Sequence, residues 1–203
     1  MRSVFIAIVL LLSLTVSAQD NTWERIEEEP TENPDAKYLL PDAIPISNGR
    51  VCFETTIQAP GKSADQVYSI VHKQLTKMTK EANQLNSAMA LQDSIHHQLV
   101  AVFNEWLVFK SVSLSLDQTQ FRFCICVDCA DEEAKVKITN ISYNYDVERK
   151  PIRYVAEEWI TDKYAVNKKH TKLYPISGKF RRKTIDRKDF IFNKLNTLLN
   201  DKK

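Results

Sequence analysis

Three of the chain's four cysteines lie within six residues, in the stretch CICVDC at 124–129. Clustered thiols can bind zinc, carry out redox chemistry or form a disulfide. In an extended strand, Cys124 and Cys126 would be neighbours on one face, about 6.6 Å apart with parallel Cβ vectors. This geometry suits neither zinc nor a mutual disulfide. The alternatives are free thiols, a disulfide that joins Cys129 to Cys126 or Cys52, and metal or redox chemistry; we predict no metal site.

Residues Asp93, Ser94, His96 and His97 bring an acid, a hydroxyl and two imidazoles together in the sequence. Members of a catalytic triad converge from separate elements rather than from one short segment. The segment is therefore more typical of an exposed turn, and no catalytic constellation is predicted elsewhere in the chain.

The C-terminal part of the chain is strongly basic. Residues 147–203 hold sixteen Lys and Arg against seven Asp and Glu, and Lys179, Arg181 and Arg182 lie in the densest run. One interpretation is a solvated helix start whose charge balances the acidic N-terminal part of the mature chain. The other is a positive surface that captures an acidic glycan, a lipid headgroup or a protein partner.

Aromatic residues are the remaining candidates for binding. Trp106 lies in a segment that is apolar on both strand faces, and Tyr143 and Tyr145 share one face of another strand. On an open sheet face these rings could stack against a sugar or grip a peptide. Alternatively, the long C-terminal segment folds back and buries them.

The chain begins with the pattern of a secretory signal peptide. A basic start is followed by an apolar run from Val4 to Val16 and by small residues at Val16-Ser17-Ala18. A membrane-spanning helix needs roughly 20 apolar residues, which is longer than this run. We therefore expect cleavage before Gln19, export to the periplasm or cell envelope, no transmembrane segment and a soluble mature protein.

The predicted organisation is a signal peptide at 1–18, an acidic mobile leader at 19–37 and a single domain at 38–203. The leader is predicted from composition, because residues 19–40 hold seven acidic and two basic side chains. Within the domain, hydrophobic patterns predict the following order: strand Arg50–Gln58, a helix from Ser63 to about Ala82, strand segments at 87–93, 97–110, 112–116, 119–127 and 135–145, a short helix near 156–166 and a last helix near 185–200. A strand, a helix, a run of strands and then helices is typical of an α+β domain with an antiparallel sheet and helices on one face.

Four segments together resemble the exported Bacteroidetes family known as domain of unknown function 4468. They are VCFETTIQAPGKSADQVY, NEWLVFKS, AEEWITDKYAVNKKHTKLY and SGKFRRKTID, in that order. The resemblance spans about Tyr38 to Leu199 and implies a curved antiparallel sheet with a fold similar to the TATA-binding protein. It implies no catalytic or ligand-binding residues. A shared fold does not transfer DNA binding, and an exported protein meets no chromosomal DNA.

Asp93-Ser94-Ile95 resembles a short O-glycosylation signal of exported Bacteroidetes proteins, which makes Ser94 a predicted modification site.

The function predicted from the sequence is an exported, non-enzymatic module that binds an envelope protein, a glycan or a peptide. No cofactor and no nucleic-acid partner are expected, and the sequence does not determine the oligomeric state. Two alternatives stay open: a hydrolase-type enzyme whose site forms only in three dimensions, and a structural protein of envelope assembly that pairs through an exposed sheet edge.

Overall fold

The computed structural model describes residues 33–112 and 115–201. Their elements are β1 (Ile46–Ser47), β2 (Arg50–Val51), β3 (Phe53–Gln58), α1 (Ala64–Met78), β4 (Ala88–Asp93), β5 (Gln98–Val112), β6 (Ser115–Ala130), β7 (Glu133–Tyr145), β8 (Ile152–Val155), α2 (Asp162–Ala165) and α3 (Pro175–Asn200), with short 3-10 turns at Ala36–Leu39 and Ala156–Glu158. The predicted signal peptide and residues 19–32 of the predicted leader lie outside the described residues. Within the described ranges, no helix has the length and apolar character needed to cross a membrane.

The strands β3 to β8 form one antiparallel sheet with the order β3-β7-β6-β5-β4. Strand β8 pairs with the end of β7 that β3 leaves free, along Ser142–Tyr145. Side chains of α1, α3 and the sheet meet in one core, as Val71, Ile191 and Phe123 illustrate. An α+β fold with an antiparallel sheet and helices on one face, as predicted, is therefore confirmed.

Strand β6 shows the alternation that the sequence predicts. Phe121, Phe123, Ile125 and Val127 are at most 1% exposed, whereas the residues between them are half-buried or exposed. The apolar set faces the helices because only that side of the sheet is covered. The CICVDC stretch is thus part of a strand, with Cys124 and Cys126 on the open face of the sheet.

Helix α1 begins where the sequence places its cap. The backbone N–H of Ser63 donates to Gln66 Oε1 (2.9 Å), and the N–H of Gln66 donates to Ser63 Oγ (3.4 Å), which completes a capping box. The tight turn between β6 and β7 also contributes, because Asp131 Oδ1 accepts a hydrogen bond from the N–H of Ala64. The helix ends at Met78, before the predicted Ala82.

Helix α3 begins at Pro175, ten residues before the predicted start at Ile185. The first half of its inner face holds Ser177, Arg181 and Thr184, which are buried although they are polar or charged. Hydrophobic periodicity cannot detect such a helix, because the buried positions do not look apolar. The predicted helix near 156–166 is instead a 3-10 turn followed by the four-residue α2, and β8 was not predicted.

The fully buried ring of Phe180 in α3 is the centre of an aromatic cluster on the covered face of the sheet. Its centroid lies 4.6 Å from that of Phe109, 5.1 Å from Tyr143, 5.5 Å from Tyr145 and 5.9 Å from Tyr154. Edge-on and tilted ring pairs of this kind stabilise beyond simple area burial. The cluster therefore fixes the first half of α3 against β5, β7 and β8.

Candidate functional site

A cleft of about 450 Å³ opens at the end of the sheet where β6 begins and β7 ends. Its aromatic and polar lining includes Trp106, Asp117, Gln118, Tyr145, Glu148 and Arg149. The size lies in the range of pockets that hold a small ligand. We refer to it below as the Trp106 cleft.

Trp106 lies on the side of β5 that strand alternation turns away from the helices. It is opposite Gln120 of β6, and its backbone N–H donates to the carbonyl of Asn83 at 2.9 Å. The indole is partly exposed and lines the cleft, so part of it is accessible to a ligand. The long β5–β6 ladder therefore holds a large flat ring rigidly at the wall of the cleft.

Gln118 contributes a hydrogen-bonding group that the protein itself does not use. Its Oε1 atom is buried and has no hydrogen-bond partner among the described residues. Burying an amide oxygen without a partner costs about 1–3 kcal/mol. If the amide turned toward the cleft, a donor from a ligand or an ordered water would recover this cost.

Asp117 and Tyr145 line one wall of the cleft, and Lys179 of α3 binds to both of them. The Asp117 carboxylate accepts hydrogen bonds from Tyr145 Oη (2.8 Å) and Lys179 Nζ (2.7 Å), and Lys179 also donates to Tyr145 Oη (3.0 Å). The ammonium lies 4.5 Å from the ring centroid of Tyr145 and 4.6 Å from that of Phe109. Because acid, base and hydroxyl all have partners, the wall suits a fixed hydrogen-bonding surface better than proton transfer.

The structure separates the other predicted binding residues from this cleft. Tyr143 is fully buried, its hydroxyl lies 2.6 Å from Thr184 Oγ1, and burial raises the pKa of the phenol. Arg181 is also fully buried and donates to the carbonyls of Tyr38 (2.7 Å) and Ile160 (2.9 Å). Neither side chain can contact a ligand at the surface of this conformation.

Arg182 makes a bidentate ion pair with Asp35. Its Nε and Nη2 atoms donate to the two carboxylate oxygens at 2.6 and 2.7 Å, and this contact lowers the pKa of Asp35. Asp35 belongs to the end of the predicted leader, where Lys37 also pairs with Asp186 at 2.9 Å. Residues 33–37 are thus held against α3, and part of the basic run neutralises acidic groups of the same chain.

All four cysteines are free. Strand β6 continues to Ala130, so Cys126 faces the open side while Cys129, 7% exposed, faces the core. Cys52 precedes β3, and β7 lies between β3 and β6, which adds two strand spacings of about 4.8 Å each. The disulfides considered from the sequence are therefore not formed, because the Cβ vectors point apart or the strands are too distant.

The pKa values of the thiols reflect the same positions. Burial raises the pKa of Cys52 and Cys126, and it raises the pKa of Cys129 to about 12. Among the described residues, no three His, Cys, Asp or Glu side chains are arranged to hold a metal ion.

Ser94 lies on an exposed turn between β4 and β5. The turn is ordered by Asp93 Oδ1, which accepts from the N–H groups of Ile95 (2.9 Å) and His96 (3.0 Å). O-glycosylation of Ser94 stays a prediction, and an intact mass equal to that of the bare polypeptide from the native host would remove it.

Sequence reasoning named Trp106, Tyr145 and Lys179 but missed Asp117, Gln118 and Arg149. The polar stretch DQTQ at 117–120 directly follows SVSLSL, in which serine alternates with apolar residues, and the loss of this alternation inside a strand could have marked a site. Arg149 lies in the loop after β7, and no local pattern indicates that it reaches the cleft.

Comparison with known proteins gives a consistent result. The family described as a domain of unknown function (DUF4468) with TBP-like fold matches residues 53–144. A crystal structure of a DUF4468 family protein from Bacteroides ovatus ATCC 8483 is similar with a TM-score of 0.76 and 35% identity, covering 84% of this chain and 98% of that chain. A TBP-like protein from Parabacteroides distasonis ATCC 8503 has a TM-score of 0.65 and 17% identity, covering 80% of this chain and 100% of that chain, which supports the fold alone. No curated protein is significantly similar to the chain.

Proposed function

We propose a function for this chain, which belongs to the DUF4468 family with a TBP-like fold. It is an exported, non-enzymatic module that binds an oligosaccharide in the Trp106 cleft. The observation that carries the proposal is that a partly exposed indole, Trp106, and Gln118, whose amide oxygen has no hydrogen-bond partner among the described residues, line the same cleft. The family itself contributes no function, and the fold name contributes none either.

The chemistry of the lining favours a sugar. A pyranose ring has an apolar face of C–H groups, which packs on a flat aromatic ring such as Trp106. Its edge carries hydroxyl groups that both donate and accept hydrogen bonds. Gln118 offers an acceptor once its amide turns toward the cleft, and Glu148 and Arg149 bring further acceptor and donor groups to the lining.

The cleft is open and polar rather than enclosed and apolar, which favours a long polar ligand. An oligosaccharide can lie across such a cleft with only one or two residues in contact with Trp106. A buried small-molecule substrate would instead be largely removed from water. Asp117 and Lys179 are paired with each other, so this wall of the cleft offers a fixed hydrogen-bonding surface rather than a free acid–base couple.

The proposal is tested by titrating the mature protein with purified soluble oligosaccharides, neutral and acidic, by calorimetry. Trp106→Ala should weaken binding of the recognised sugar about tenfold, since an aromatic stacking contact contributes about 1.4 kcal/mol. Tyr174→Ala is the matched control, because Tyr174 is an aromatic residue, 42% exposed, outside the cleft. The proposal fails if no sugar binds more tightly than millimolar, or if Trp106→Ala binds as well as the unchanged protein.

Export is supported by the N-terminal sequence alone and has its own test. The protein isolated from the native host should begin at Gln19 when its N-terminus is sequenced. An intact Met1 on protein from the cytoplasmic fraction would show that the segment is not processed.

A further inference from the structure

A second concave site lies between the two long helices, on the side of the molecule opposite the open sheet face. This groove, of about 800 Å³, runs between α1 and the C-terminal part of α3. Its lining combines apolar and cationic groups and includes Lys62, Ile70, Lys73, Lys77, Leu198 and Asp201. None of the residues of the Trp106 cleft contributes to it.

The direction of the groove follows from two contacts at its ends. Asn200 of α3 donates to the carbonyl of Gln58 (3.1 Å), close to the start of α1, and Arg187 Nη2 lies 3.7 Å from Glu81, just after its end. Helices α1 and α3 are therefore antiparallel. Asp201 lies at the same end of the groove as Lys62, which precedes α1.

The positive charge of the groove is concentrated away from that end. Lys62 and Asp201 have opposite charges, so they leave little net field where they lie. Lys73 and Lys77 are one helical turn apart on the exposed side of α1, and neither makes an ion pair within 4 Å in the described part of the chain. Two adjacent ammonium groups of this kind attract a single anionic group that can accept hydrogen bonds from both.

The groove beside these lysines has an apolar part, next to the buried amide of Gln74. Ile70 of α1 and Leu198 of α3 are half-buried on the two sides, and the methylene stems of the lysines extend the same surface. A bare anion would use the lysines but leave this apolar part in contact with water. A ligand that joins an anionic head to a hydrocarbon chain satisfies both parts of the groove at once.

We infer that the α1–α3 groove binds a single-chain amphipathic anion, with its head at Lys73 and Lys77 and its hydrocarbon chain along Ile70 and Leu198. The shared chemistry is that of a carboxylate or phosphate attached to an acyl chain. This site is independent of the proposed sugar site, and each can fail without the other.

The test is calorimetric titration of the mature protein with laurate below its micellar concentration. Laurate should bind at micromolar to sub-millimolar Kd, whereas acetate and inorganic phosphate test the anion alone. Dodecyltrimethylammonium tests the hydrocarbon chain with the opposite charge. Binding of acetate or phosphate as tight as laurate, equal binding of the cation, or no binding of laurate would each overturn the inference.

Variants locate the site. Lys73→Glu should raise the Kd for laurate about fivefold, and the matched control Lys168→Glu, at an exposed lysine outside the groove and away from α1, should leave it unchanged. Ile70→Gln should also weaken binding, whereas Ile176→Gln, at a residue that is 62% exposed elsewhere, should not. Circular dichroism confirms that each variant is folded, and an unchanged laurate Kd in both groove variants would place the ligand elsewhere and refute the assignment.

Discussion

Replacing Glu105 by leucine tests whether the buried ion pair between β5 and α3 stabilises the fold only as a pair. Glu105 and Arg187 are both fully buried, and Arg187 Nε and Nη2 each donate to a Glu105 oxygen at 2.7 Å. Gln84 Nε2 donates a further hydrogen bond of 2.6 Å to the same carboxylate. Glu105→Leu removes the acceptor of all three bonds and leaves the guanidinium in the core.

The expected loss follows from the position of the remaining acid. Removing one partner of a buried pair costs about 3–5 kcal/mol of unfolding free energy. Glu81 lies 3.7 Å from Arg187 Nη2 and is about one-third exposed, so it offsets part of the lost charge. We therefore expect about 3 kcal/mol, which for a domain of this size lowers the thermal midpoint by about 6–12 °C.

The assay is urea unfolding followed by circular dichroism, with the double variant Glu105→Leu/Arg187→Met for comparison. Replacing both partners by apolar residues is often close to neutral. The double variant should therefore be about 2 kcal/mol more stable than the sum of the losses measured for Glu105→Leu and Arg187→Met alone predicts. Glu54→Leu is the matched control, because Glu54 pairs with Lys137 at 3.4 Å on the exposed face and should contribute at most about 1 kcal/mol. A loss below about 1 kcal/mol for Glu105→Leu, or additive effects in the double variant, would refute the reasoning.

Three further predictions concern single side chains. Asp35→Asn should lower the free energy of unfolding by up to about 1 kcal/mol at pH 7. Because the Arg182 contact lowers the folded-state pKa of Asp35, this contribution is present above about pH 4 and is lost as the pH falls further. The free energies of unfolding of the two proteins in urea should therefore converge near pH 2, and a difference that persists there would contradict the prediction. Cys129 should be the slowest thiol to react with iodoacetamide at pH 8 in the native protein. Burial raises its pKa to about 12, which leaves about a thousandfold less thiolate than the usual cysteine pKa of 9.0 would. Rapid labelling of Cys129, measured by peptide mass spectrometry, would show that it is not buried. Gly178→Ala should lower the free energy of unfolding by about 1–3 kcal/mol, because the added Cβ would lie 2.7 Å from Leu173 Cβ. This loss is expected although alanine favours helices more than glycine does. A raised thermal midpoint would show that α3 can shift to make room.

The fold could be predicted wherever burial and apolar character coincide. Strand alternation at Phe121–Val127 and the Ser63 capping box are local signals, and the structure confirms both. The start of α3 could not be predicted, because Arg181 and Arg187 are buried through partners that are distant in sequence. A buried arginine looks like a surface residue until the carbonyl or carboxylate that pairs with it is known.

The candidate site was predictable only in part for the same reason. Trp106 and Tyr145 stand out by residue type, and the structure brings both to one cleft. Their neighbour Tyr143 stands out equally but is fully buried, because the cover supplied by α3 cannot be read from the strand. Gln118 stands out only as part of the polar stretch at 117–120, and its unsatisfied oxygen could not be predicted because it is a property of its surroundings.

The central position of Phe180 has a consequence for the order in which the protein is made. Phe109, Tyr143 and Tyr154 all leave the ribosome before the ring that packs among them. Contacts distant in sequence form only after the connecting chain has been synthesised and its loop closed. The rings of this part of the sheet therefore lack the cover that Phe180 supplies until translation has passed α3, which makes the docking of α3 a late step in folding.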